Sequence, residues 1–206
     1  MSEPLVLDGT GGAESGSPLV DTTGSFTVAV EAMVDGAALK DKPNGYRAQV
    51  LGQRTGTGSS WGLWFEKTGV DPQGHEVLDE NGDPVIDEAT GEPKFESWAS
   101  GRWHFGLLTA DGTGVSVQSD DTASLGTDVE LTGAYDAQSQ TISLFLVDRQ
   151  GEPTAYTASA SSGGVAVGKG WLNSAWGNHV PGRVNHIRMW TGAVQSAHHK
   201  TAVVGD

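Results

Sequence analysis

The chain has no cysteine. That removes a disulfide framework, a thiolate zinc site and a thiol nucleophile together, while leaving the compartment open. Basic residues are scarce as well: 12 Lys and Arg stand against 26 Asp and Glu, for a net charge of −14. A surface of that sign repels nucleic-acid phosphates and anionic membranes, so no nucleic acid is expected as a partner. No apolar run approaches the ~18 residues of a membrane helix, which excludes direct insertion by that route. No signal peptide reads from the N-terminus, where Met1–Pro4 leads straight into a strand-like segment. Such a chain is expected to be intracellular or part of a longer exported protein. Helical periodicity is rare and glycine is abundant, at 30 residues, so the balance points to an all-β fold. The length of 206 residues suits one domain, 1–206, or at most two.

What is present is alternation. In Thr127–Gly151, Val129, Leu131 and Tyr135 share one face of a first run and Ile142, Leu144 and Leu146 share one face of a second. A period of two over such lengths means half-buried strands, and the polar stretch Asp136–Gln140 between them makes the unit an antiparallel hairpin. Further strands are expected at Leu5–Asp8, Ser25–Val34, Gln49–Gln53, Trp61–Glu66, Arg102–Leu108, Gly114–Gln118, Tyr156–Ala160, Gly164–Val167 and Gly182–Trp190. Asp111-Gly112 supplies a hairpin turn between two of them. Gly168–Pro181 reads as one long loop, and Ser196 as the cap of a single helical turn.

Residues 71–96 differ from their surroundings. DPQGHEVL, DENGDPVI and DEATGEPKF repeat at eight to nine residues, each opening with Asp and carrying a Gly, which reads as a meander of short hairpins. The segment holds nine carboxylates and one lysine, Lys94, and so carries −8 of the net charge. Clustered oxygens suit calcium, but DENGDP places its glycine fourth where an EF-hand loop needs it sixth. The reading is a solvated acidic hairpin insertion outside the core.

Four segments, in order, resemble the laminin-G-like jelly-roll domains of the concanavalin A-like superfamily. They are LDGTGG at the start, SFTVAVEAMV, the hairpin ELTGAYD…TISLFLV, and the closing GRVNHIRMW, with RWHFGLL and its DG turn as a fifth echo. The tryptophan usual near the end of the second segment is replaced by Ala32 or Met33. The resemblance covers nearly all of the chain outside 71–96. It implies a two-sheet antiparallel β-sandwich of jelly-roll topology. It also implies a structural calcium ion held between the first and last strands by Asp8, Gly9 and Asn185. That site would be weakened here because Asn185 and His186 stand where the family carries acids. The loop that bears calcium-binding acids in some relatives reads GKGWLNSAWGNHV, without a carboxylate.

Catalysis is not expected. Glycosidases of that superfamily set carboxylates at alternating positions of one strand, and Asp128 and Glu130 are followed by Thr132 where a third would fall. No nucleophile elbow between a strand and a helix is read from the sequence, since the G-x-S-x-G match at Gly58–Gly62 leads from a loop into a strand, and no H-E-x-x-H spacing occurs among the six histidines. Trp61 and Trp64, three apart, must face opposite sides of a strand; Trp103 and Trp190 read as core. The candidate binding residues are Trp171, Asn173, Trp176, Asn178 and His179, which combine indoles with amide donors in a rim loop. By resemblance the chain is a non-catalytic recognition or adhesion module for a glycan or protein partner. It would belong to a larger exported or cell-surface bacterial protein or assembly. The alternative is a structural spacer or packing domain in a multidomain toxin or fibre, and a glycoside hydrolase stands third.

Overall fold

A computed structural model describes residues 4–13, 20–21, 24–54, 60–79, 81, 83–108, 114–120, 122–147, 153–159, 169–171 and 178–194. In chain order the elements are β1 (Leu5–Asp8), β2 (Phe26–Val34), the single-turn helix α1 (Gly36–Leu39), β3 (Arg47–Arg54), β4 (Ser60–Glu76), β5 (Phe95–Leu108) and β6 (Gly114–Gln118). They continue with β7 (Val129–Asp136), β8 (Thr141–Val147), β9 (Pro153–Ser159), β10 (Lys169–Trp171), β11 (Asn178–His179) and β12 (Pro181–Thr191). Two sheets result, in the orders β1-β12-β2-β7-β8-β9 and β10-β3-β4-β5-β6, here sheet A and sheet B. All pairings are antiparallel except the two-residue contact of β11 with β3. This is the two-sheet jelly-roll sandwich that the sequence implied.

Alternation builds the layer between the sheets. Phe26 of sheet A meets Trp61 and Phe105 of sheet B at ring-centroid distances of 5.7 and 6.5 Å, in tilted and edge-to-face geometry. Leu63, Phe65, Leu131, Ile142 and Leu144 complete the centre, all fully buried. Burying side chains of this size contributes ~1.5–3 kcal/mol each. Phe105 reaches sheet A only because position 133 is glycine: a Cβ there would lie 2.3 Å from the Phe105 ring.

Several sequence expectations are corrected. The meander at 71–96 is not a set of independent short hairpins, because β4 and β5 run on through it to Glu76 and Phe95 as one long antiparallel arm. Only residues 77–94 beyond that arm turn back on themselves. The short helix α1 shows no apolar periodicity in sequence; Asp35 caps it, accepting the Ala38 N–H at 3.0 Å. Trp190 lies on the outer side of sheet A opposite Thr27, half-buried, rather than in the core. A bulge between Asn185 and Arg188, with His186 at φ 48°, adds one residue to β12 and reverses which of its side chains face inward. The expected strand at 164–167 and helical turn after Ser196 lie outside the described residues.

Candidate binding face

Because Trp61, Leu63 and Phe65 point inward, Trp64 and Glu66 must point outward from sheet B. The strand registers set that outer face in rows. Arg47, Glu66 and Arg102 form one, Gln49, Trp64, His104 and Gln118 the next, and Gly52, Gly62, Gly106 and Ser116 the third. The glycine row leaves room for the indole above it, since a Cβ on Gly106 would stand 3.0 Å from Trp64 Cη2. Trp64 and His104 stack with centroids 5.1 Å apart and planes at 10°. Trp64 Nε1 donates to Glu66 Oε2 at 3.3 Å, Arg47 Nε donates to the same oxygen at 3.0 Å, and the Arg47 guanidinium carbon sits 5.6 Å from the Trp64 ring.

The rings themselves are covered: Trp64 is 1% exposed and His104 8%. They are a floor rather than a stacking platform. Above them the Arg47 side chain remains 42% exposed, and Ser116 and Gln118 are exposed on β6. Burial, aided by the nearby Arg47 and Arg102 and opposed by Glu66, pushes the His104 pKa down to about 4, so the ring is neutral near pH 7. Its Nδ1 is buried without a hydrogen-bond partner. Leaving such an atom unsatisfied costs ~1–3 kcal/mol, and the buried His179 Nδ1 stands in the same condition.

The predicted rim-loop residues adjoin this face. β10 pairs Lys169, Gly170 and Trp171 with Arg54, Gln53 and Gly52, and β11 pairs Asn178 and His179 with Ala48 and Gln49. Two short strands therefore replace the ends of the expected single loop and pin them along the edge of sheet B. For Trp171 and Asn178 only the backbone is described, while Asn173 and Trp176 lie outside the described residues. The His179 carbonyl accepts the Tyr46 hydroxyl at 2.9 Å, and its buried Nδ1 has no hydrogen-bond partner.

The expected calcium ligands are not brought together. In the β1–β12 ladder Asp8 stands opposite Pro181, so Asn185 lies four positions further along, about 13 Å at ~3.3 Å per residue. Each carboxylate or amide is used locally instead. The Asp8 carboxylate accepts the Thr10 hydroxyl at 2.7 Å and its N–H at 2.8 Å, which hold its pKa below the usual carboxylate value. Gly9 turns the chain at φ 82°, and Asn185 Oδ1 accepts the His186 N–H at 2.9 Å. Among the described residues no group of three or more His, Asp or Glu side chains could hold a metal ion. The alternating acids Asp128 and Glu130 are also accounted for in part: Asp128 is in a two-bond ion pair with Arg183 at the surface.

Sequence reasoning placed Trp64 on one face or the other but missed His104, whose only signal was its even spacing from Arg102 on a strand. No family model matches the sequence, and no curated protein matches it. The fold, by contrast, is shared with solved structures. The CBM40 of the Ruminococcus gnavus IT-sialidase is 13% identical, with a TM-score of 0.57 over 100% of this chain and 98% of that one. The same module was also solved bound to α2,3-sialyllactose. Domains LG4-5 of the mouse laminin α1 chain are 11% identical, with a TM-score of 0.56 over 95% of this chain and 43% of that one. A heptameric SAP-like pentraxin from Limulus polyphemus is 10% identical, with a TM-score of 0.52 over 97% of this chain and 80% of that one. All are concanavalin A-like jelly rolls, and at such identities the likeness is one of fold.

Proposed function

We propose that this concanavalin A-like jelly roll is a non-catalytic recognition module whose ligand is a glycan, bound on the outer face of sheet B beside the 169–179 edge segment. It would serve as part of a larger exported or cell-surface protein. The observation that carries the reading is the polar floor on that face: a stacked Trp64–His104 pair with an unpartnered buried Nδ1, beneath a half-exposed arginine. In a chain of net charge −14, a row of two arginines and one carboxylate is a local reversal of sign. That suits a glycan with an acidic group, and the sialyllactose-bound module of the same fold makes sialyllactose the first ligand to test. Hydrolysis is disfavoured because the three rows contain Glu66 alone as a carboxylate, held by Arg47 and Trp64, where glycosidases need an acid pair.

The second reading, a structural spacer, draws on one observation: Trp64 is too buried to touch a ligand. Titration of sialyllactose and of lactose into the wild type, Arg47→Ala and Trp176→Ala separates the two. A residue that anchors the ligand should contribute ~1–3 kcal/mol, so its alanine variant binds five- to a hundredfold more weakly while staying folded. No saturable glycan binding by the folded wild type, or loss of thermal stability in Trp176→Ala without ligand-specific loss, returns the face to the spacer reading.

A further inference from the structure

The arm beyond the base of the β4–β5 hairpin closes on itself with an internal threefold repeat. Val77 N–H donates to the Lys94 carbonyl, Lys94 N–H to that of Val85, and Val85 N–H to that of Val77, each at 2.8 Å. These three residues hold equivalent places in Glu76-Val77-Leu78, Pro84-Val85-Ile86 and Pro93-Lys94-Phe95. The third residue of each triplet bridges the first of the next: Leu78 to Pro84, Ile86 to Pro93, and Phe95 back to Glu76. Proline fits the first place because the ring takes its N–H from the second. Asp71, Asp79 and Asp87 each accept the N–H two residues on, at 2.8–2.9 Å, so every turn is fixed by its own carboxylate.

This hydrogen-bonded unit nevertheless leaves its third residues exposed. Leu78 is 53% exposed, Ile86 50% and Phe95 59%, and Val70 is exposed on the strand below them. Three exposed apolar side chains at equivalent places of one hydrogen-bonded backbone are what a binding surface offers at low entropic cost. The sequence 71–96 that carries them has nine carboxylates and the single Lys94. That charge opposes a second copy of the same arm and selects a partner of opposite sign.

We propose that residues 70–95 form a docking arm for a different protein whose contact surface is apolar at its centre and basic around it. The full chain is to be titrated, by fluorescence anisotropy, against a labelled peptide of alternating lysine and leucine. Lysine–serine and glutamate–leucine peptides of equal length serve as controls. The expected result is binding of the lysine–leucine peptide alone, weakened at least tenfold by Leu78→Ser/Ile86→Ser/Phe95→Ser. Asp83→Asn/Glu88→Gln/Glu92→Gln, which spares the three turn-fixing aspartates, should weaken binding and flatten its salt dependence. Equal binding of the lysine–serine peptide, or affinity unchanged in either variant, overturns the proposal. So does a wild type that sediments as a dimer dissociated by the serine variant, because a second copy would then cover the triad.

Discussion

At its base the β4–β5 hairpin presses Trp61, Leu63, Phe65, Trp103 and Phe105 against sheet A. Further out along the same hairpin and its tip, Val70, Leu78, Ile86 and Phe95 are exposed. Both halves alternate and both are antiparallel, yet they hold their shape for different reasons. The base is made by burial, with glycines placed where rings must pass. The tip leaves its apolar side chains exposed and is held by hydrogen bonds that close in a ring, with aspartates fixing the turns. Trp98 marks the boundary: His75 of the arm stacks on it at 3.8 Å, while positions 36 and 126 must be glycine to admit its other edge. Apolar residues in a strand therefore report a core only where a second layer exists to receive them.

The sharpest way to break this comparison is to remove a large apolar side chain from each half. Trp61→Ala is expected to cost ~3–5 kcal/mol in urea unfolding, whereas Leu78→Ala should stay within ~0.5 kcal/mol. A comparable loss at Leu78 would mean that the tip, too, has a core. Next in size is acid. The His104 pKa is depressed to about 4, so below its unfolded value of ~6.5 the unfolded chain takes up a proton that the folded chain refuses. Stability should be complete above about pH 6.5, fall as pH drops towards 4, and by then have lost up to roughly 3 kcal/mol at 1.36 kcal/mol per unit. His104→Phe, which keeps the ring on Trp64, should remove that share of the slope between unfolding midpoints at pH 7 and pH 4. The smallest effect is expected at the arm. Replacing residues 77–94 with Asn-Gly, so that the rung between Glu76 and Phe95 and the His75–Trp98 stack remain, should leave Tm within a few degrees at ~2–4 °C per kcal/mol. A collapse measured by calorimetry would place the arm within the folding unit.

Sequence legibility followed the same division. β6 and the β7–β8 hairpin read cleanly because alternation, turn and partner lie close together, and Val129, Leu131, Tyr135, Ile142 and Leu144 are all buried where alternation put them. Trp190 was misread because one extra residue in the bulge before it reverses the face, and no local pattern announces a bulge. The Asp8–Asn185 pairing failed for a related reason: adjacency of two strands does not give their register. β10 and β11 are too short for any period, and exist because β3 offers them an edge. The rows on sheet B needed three strands at once, so His104 could acquire meaning only when the registers were known.

The position of β12 between β1 and β2 bears on how the molecule is made. β2 is an early strand; it can pair with β7 on one side once the middle of the chain has been synthesised, but its other side waits for Pro181–Thr191. At ~5–20 residues per second on a ribosome, that edge stays open for seconds, longer than a hairpin takes to form. Closure between such distant segments is slow in the manner of high-contact-order β proteins, and an unpaired central strand is a template for association with other chains. β12 therefore acts as a keystone: the gap between β1 and β2 is closed only once residues 181–191 have been made.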